Sequence, residues 1–291
     1  MSSDIMPMTE PRPRRQLSQG SGATDAALLF DEPGPRGRIL IAIGSVVAVI
    51  GIAALAAAVL YRLDLAGQLD YPKWRYFLGQ SVVSQLLQAA GTTLTLGGVA
   101  AVLTFPLGIA LGWLRLLDNR PIKWLVGLWV DAMRAVPMLL LVYFFLLVVP
   151  RFATISDFWK LALPIVMCTS ATTAEVFRSG VRALDRGQTE AAWALGMSSS
   201  LTMRLILAPQ ALRLMLPTLI TQMVTIIKGT TLAYVLAYPE LMYRGSTMIG
   251  QAKIDAHLSV FFQTYVIIAV LYIIVNWSLG ALARYIESRT R

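Results

Sequence analysis

An all-α, polytopic membrane protein is the fold class that three features of this 291-residue chain predict. Its residues are 56% hydrophobic and 14% charged, where ordinary soluble domains carry about 25% charge. Mean hydropathy is +0.64. Several uncharged apolar runs are also long enough to cross the roughly 30 Å hydrocarbon core of a bilayer. The net charge of +9 comes largely from arginines that flank those runs, where they set topology and meet anionic lipid head groups; no nucleic-acid partner is expected. With one cysteine, Cys168, and one histidine, His257, no internal disulfide and no Cys/His metal cluster can form. The dipeptide Gly-Lys is absent, so no phosphate-cradling G-x-x-x-x-G-K loop exists. Any nucleotide-driven work must come from a partner.

Residues 1–38 are rich in Pro, Arg, Ser, Gln and Gly without apolar periodicity, which predicts a disordered basic tail on the cytoplasmic side. Residues 39–60, ILIAIGSVVAVIGIAALAAAVL, form an uncharged run of 22, long enough for one span closing at about residue 61. A secretory signal is the competing reading, but the run is longer than the usual apolar segment and starts late. Residues 62–90 are expected to form an extracytoplasmic loop and, in FLGQSVVSQLLQAAG, an interfacial helix; residues 92–114 form the next span. Within that span Gly108-I-A-L-Gly112 is a small-xxx-small pattern suited to close helix packing. After the polar turn RLLDNRPIK, the apolar stretch past Arg134 is too short to span, so the helix is expected to extend back through Asp131 and Arg134, which can pair on one face. Residues 161–177, 212–237 and 260–283 complete six expected spans.

Lys and Arg counts orient them. With the amino terminus inside, sixteen fall on the cytoplasmic side and seven outside; Arg134 and Lys228 lie within spans. Both termini and the loop at 178–213 are therefore expected to be cytoplasmic. In that loop Glu190 to Leu195 are helix formers, Gly196 is a natural left-handed stop, and one of Ser198, Ser199 and Ser200 can cap a second helix. Ala191 and Ala192 are small enough to admit a foreign surface, and Glu190 can accept bonds from it. Leu201, Leu205 and Ala208 form one stripe, and Pro209 is expected to end or kink the second helix. On the residues alone, a socket for a partner and an amphipathic hairpin resting on the membrane are both open readings.

Glu190-Ala191-Ala192, then Gly196, then Ile206 and Pro209 resemble the EAA signature of the permease subunits of ABC importers. Residues 174–217 are similar to the polar amino-acid permeases that serve histidine, glutamate, glutamine, arginine and opines. The likeness reaches GTTLTL at Gly91, RAVPMLL at Arg134 and KGTTLAYVL at Lys228. It implies the type I importer fold: a five-helix core, residues 91–285, with one extra amino-terminal helix and a cytoplasmic end at 286–291. It also implies that residues 186–212 couple the chain to an ATPase through Glu190, Ala191, Ala192, Gly196, Ser198, Ile206 and Pro209. The implied partners are an ABC ATPase dimer holding ATP and Mg2+, a second permease subunit, an extracytoplasmic solute-binding protein and an amino-acid substrate. This chain would bind no cofactor, perform no catalysis and reside in a bacterial inner membrane. It departs from the family where Arg134-Ala135-Val136-Pro137 replaces Arg-Gly-Thr-Pro and Lys228-Gly229-Thr230-Thr231 replaces Lys-Asp-Thr-Ser.

Candidate substrate-pathway residues are Lys228, Gln222, Thr230, Thr231, Glu175 and Arg134. A charge inside a span usually faces a cavity or partner, so Lys228 could meet a substrate carboxylate, or could pair with Glu240 or snorkel outward. Glu175 with Arg178, and Asp131 with Arg134, are each spaced for a helix-surface ion pair. Aromatic residues near span ends, such as Trp124 and Trp159, suit an interfacial belt. Two rival functions are weighed. An ion-driven secondary transporter would need intramembrane carboxylates, and a membrane enzyme would need a cluster of His, Asp or Cys; the sequence is poor in both.

Overall fold

The structure is a computed structural model that describes residues 34–290; the tail expected over residues 1–38 lies outside it up to residue 33. The described residues are helical with short turns and contain no strand. The chain divides into two units, Met1–Ala66 and Gly67–Arg291.

In the first unit, helix α1 (Pro35–Leu65) is 31 residues long. It starts four residues before the expected Ile39, because Pro35 is pre-set for the first turn and lacks only an N–H that would be unpaired there. Arg62 lies in its last turn, where it favours the negative helix end. Its large apolar side chains are exposed on every face, the pattern of a helix whose solvent is lipid.

The second unit begins with α2 (Tyr71–Arg75) and a 3-10 turn. Helix α3 (Gln80–Leu114) then runs unbroken for 35 residues, which corrects the expectation of a separate interfacial helix before residue 92. The Thr cluster does not start a new helix. The hydroxyls of Thr92, Thr93 and Thr95 donate to the carbonyls four residues back, at 3.1, 3.0 and 2.8 Å, so they are satisfied inside the helix. At 1.5 Å per residue α3 is roughly 50 Å long, more than a bilayer core needs.

Helix α4 (Arg120–Ala135) is capped by the Asn119 side chain, which accepts from the Ile122 N–H at 3.2 Å. It does not continue past Arg134 as expected. Val136 is extended, α5 (Met138–Leu147) starts after Pro137, and the two helices are bent by 96°. Proline removes a helical donor and pushes the residue before it out of the α region, so the apolar run is divided into a bent pair.

Helix α6 (Asp157–Arg182) stands at the centre, packed against α3, α4, α5 and α9. The close approach of α3 follows from the small-xxx-small pattern: a Cβ on Gly108 would stand 2.5 Å from Thr173 Cβ, and one on Gly112 would stand 2.6 Å from the Ala174 carbonyl oxygen. Between them Thr104 and Thr169 share a buried hydroxyl hydrogen bond of 2.8 Å. Among the described residues four helices are long and apolar enough to cross a membrane, five with the bent pair, where six spans were expected. The shortfall is α6. Enclosed by protein, it carries buried Thr and Ser instead of lipid-facing side chains.

The chain next forms α7 (Arg186–Ala194), α8 (Ser199–Thr202), a π-turn, α9 (Ala208–Gly229) and a 3-10 stretch to Leu236. Helices α10 (Leu241–Asp255) and α11 (Phe261–Thr290) close the unit.

Candidate functional site

The hairpin between α6 and α9 is built by local rules. The Asp185 carboxylate caps α7 by accepting from the Gly187 N–H at 2.7 Å. At the far end Gly196 adopts φ +76°. Its N–H donates to the Trp193 carbonyl at 2.9 Å, and the Met197 N–H donates to that of Ala192 at 3.1 Å. This bond pair is the Schellman stop, which satisfies carbonyls that the helix end would otherwise orphan. Two residues on, the Ser198 hydroxyl accepts from the Leu201 N–H at 3.3 Å and starts α8.

Pro209 does not end the second hairpin helix, which runs on into α9 through a distortion just before the proline. Residues 203–207 widen into a π-turn in which the Ala208 N–H reaches back to the Met203 carbonyl. This absorbs the lost donor and the ring, and Pro209 sits in the first turn of α9. The hairpin is thereby continuous with a membrane helix. It is anchored by buried Leu207 and Ala208, which join Phe177, Val181 and Met215, with Ile206 packed alongside. Gln210 also bonds Gln188 across the hairpin at 3.4 Å.

Of the expected coupling residues, Glu190, Ala191, Gly196, Ser198 and Pro209 are exposed, Ile206 is half-buried, and Ala192 is buried. Ala192 thus packs inward and is not open to a foreign surface; only Ala191 is. The residue signature does not mention the apolar rim: Trp193, Leu195, Leu201 and Leu205 are 55%, 82%, 43% and 59% exposed. Four large apolar side chains on one small hairpin form the kind of patch that marks a docking surface.

The expected substrate-pathway residues separate into two groups. Glu175 and Arg134 belong to an ionic network: Arg115 donates to Glu175 at 2.9 Å and to Asp131 at 3.4 Å, Arg178 also pairs with Glu175, and Arg134 lies 3.9 Å from Asp131. This network ties α4 and α6 to the end of α3. Lys228 is exposed in the last turn of α9, with Gln222 and Thr231 half-buried and Thr230 buried. The Thr230 and Thr231 hydroxyls donate to the Ile227 and Lys228 carbonyls, both at 2.7 Å, where the α-helix tightens into 3-10. A Cβ on neighbouring Gly229 would stand 3.4 Å from Met138 Sδ. The irregular end of α9 therefore meets the break between α4 and α5. Non-helical backbone at membrane depth persists only within protein or beside a water-filled path.

The Lys228–Glu240 pair is not formed. Glu240 is fully buried and caps α10, accepting from the Met242 and Tyr243 N–H groups at 2.9 and 2.8 Å and from the Tyr272 hydroxyl at 2.8 Å. The Leu241 N–H beside it donates to Thr93 Oγ1 at 3.2 Å. This hub of α3, α10 and α11 was invisible in sequence, because glutamate is not a favoured cap residue; the only local sign is its place after Pro239 and before an apolar helix.

Known proteins bear on this geometry. A probable glutamine ABC transporter permease of Bacillus subtilis is 33% identical over 198 residues, 68% of this chain and 89% of that protein. A glutamate transport system permease of Corynebacterium glutamicum is 34% identical over 230 residues, 77% of this chain and 82% of the other. The crystal structure of an amino acid ABC transporter with histidines superposes with a TM-score of 0.64 at 24% identity, covering 72% of this chain and 95% of that one. An inward-facing methionine ABC transporter gives 0.60 at 16% identity, with 73% and 99% covered. The two superpositions show the ABC-importer transmembrane fold that the sequence resemblance implied. Residues 104–291 match the family described as binding-protein-dependent transport system inner membrane component, and the chain belongs to that family.

Proposed function

We propose that this chain is the membrane-spanning permease subunit of an ATP-driven importer of polar amino acids, coupled to a cytoplasmic ABC ATPase dimer through residues 186–212. The observation that carries the reading is the hairpin: a Schellman elbow with an exposed apolar rim and Glu190, joined through the π-turn to α9. Force applied to the rim would reach the α9 end at Lys228 along one helix. An ATPase bound there shifts the bundle by the difference in its contacts with the two conformations. ATP and Mg2+ would sit on that ATPase, and this chain would supply no catalytic group. A second permease subunit, the same chain or a related one, would complete the path, since an ATPase dimer offers two clefts. A solute-binding protein would deliver substrate from outside. Glutamine and glutamate, in the names of the relatives, support the amino-acid class. The excess of Lys and Arg supports cytoplasmic termini and a cytoplasmic hairpin.

Ion-gradient coupling gains nothing from Glu240, the buried carboxylate among the described residues. Its oxygens are occupied by two backbone donors and a phenol. The test is co-purification with the ATPase: Glu190→Arg should abolish it while the permease still folds. Amino-acid uptake by proteoliposomes lacking ATP would refute the reading.

A further inference from the structure

Helix α9 presents an exposed polar stripe. Thr218, Thr221, Thr225 and Lys228 follow one another at spacings of three, four and three residues, which places them on a single helical face. All are exposed, whereas the buried residues Met215, Ile226 and Ile227 lie on the other side of the helix. The upper end of the stripe is at membrane depth. Residues 161–174, the uncharged part of α6, include Ile165, and a Cβ on Gly229, next to Lys228, would stand 3.9 Å from Ile165 Cγ1. Toward the hairpin, a Cβ on Gly180 would stand 2.8 Å from Met215 Cγ, one turn before Thr218. The stripe therefore descends from the apolar layer toward the hairpin over about 15 Å, at about 1.5 Å per residue.

We propose that this stripe is the wall of a water-filled path along which an amino-acid zwitterion passes between Lys228 and the hairpin side of the membrane; the cargo rests on the importer reading above. Lipid is a poor neighbour for the stripe. An ammonium at that depth is costly unless it faces water or a partner, and that of Lys228 makes no ion pair among the described residues. A dry seam with a second copy is a poor neighbour too, because a two-fold axis along the membrane normal would bring two Lys228 ammonium groups to one depth with no water between them. The hydroxyls add a chemical bias. Those of Thr221 and Thr225 donate to the carbonyls of Pro217 and Thr221, at 3.2 and 3.1 Å. With the proton so used, each oxygen turns only lone pairs outward. Such a wall accepts from a substrate ammonium, while Lys228, three residues from Thr225 on the same face, donates to a substrate carboxylate. One zwitterion can touch both.

The test is thiol labelling of the full chain in broken native membranes, which expose both sides to a charged, membrane-impermeant methanethiosulfonate. Cys168→Ala supplies the background; because Cys168 is buried, the wild-type chain serves should that variant misfold. Val49 of α1 and Val102 of α3, 65% and 70% exposed on apolar surfaces, are the controls. Thr221→Cys and Thr225→Cys should react about tenfold faster than Val49→Cys and Val102→Cys, since a thiol ionises in water and not in hydrocarbon. Equal rates would place the stripe against lipid and overturn the proposal. So would spontaneous disulfide-linked dimers of Thr221→Cys, which would make it a dry seam between copies. Thr221→Phe, which narrows the path, should lower amino-acid uptake several-fold while the ATPase still co-purifies, and uptake at the wild-type rate would also overturn the proposal. Fast labelling in a chain whose uptake needs no ATP would refute the ATP-driven importer and leave the water path standing.

Discussion

Gly196 holds φ +76° with open space where a Cβ would stand, so backbone conformation alone disfavours other residues there. Gly196→Ala should therefore destabilise the elbow by roughly 1 kcal/mol, while Gly196→Asn, which tolerates the left-handed region, should lose less. ATP-dependent uptake and thermal unfolding of the two variants check that order. Glu240 illustrates the opposite kind of residue, one that only its surroundings explain. Glu240→Ala removes the acceptor for two half-buried N–H groups and the Tyr272 hydroxyl, an expected loss on the order of 3 kcal/mol. A lowered melting temperature, only partly restored by Glu240→Gln, would bear this out. The Gly196 stop and a serine cap were readable in the sequence because they depend on neighbours one turn away. The inward turn of Ala192 was not, because the i, i+1 spacing in Glu-Ala-Ala does not say which alanine faces the bundle.

Helix packing gives a paired test. Gly112 and Gly98 both lie in α3, yet a Cβ at Gly112 would press on the Ala174 carbonyl at 2.6 Å, and one at Gly98 would meet nothing within 4 Å. Gly112→Ala should lose about 1 to 3 kcal/mol by overpacking, whereas Gly98→Ala should be neutral or gain up to about 1 kcal/mol in a helix interior. Melting temperatures of the two variants decide it. If they shift alike, the α3–α6 contact is not as tight as these distances require. Elements with a long uncharged apolar run, α1 and α11, were legible as spans. Two others needed three-dimensional information. The Thr cluster after Gly91 reads as a helix start but bonds its own helix, and Pro137 turns one apparent span through 96°.

At the scale of the molecule, α1 forms a unit by itself and the family match begins only at residue 104. Deleting residues 1–66 should leave the remaining helices folded and the melting temperature of the rest unchanged within a few degrees, as measured in matched detergent. The deletion should also leave ATPase co-purification intact, since the hairpin lies wholly in the second unit. Lys228→Met is expected to weaken amino-acid affinity without releasing the ATPase, because the exposed ammonium stands at the irregular end of α9 and far along the chain from the elbow. Unchanged affinity in an uptake assay would remove Lys228 from the substrate path.

By itself the sequence determined that the chain lives in lipid, where its apolar runs begin and end, and that a glycine elbow joins two helices in a basic loop. Composition, periodicity and capping are properties of contiguous residues, and contiguous residues were enough to read them. Only the tertiary structure decided that Glu175 and Arg134 share an ionic network, that Glu240 is a buried cap and not a partner of Lys228, and that α6 can forgo lipid-facing side chains. Each of these depends on groups distant in the chain meeting at hydrogen-bond or van der Waals range, and local pattern carries no record of such meetings.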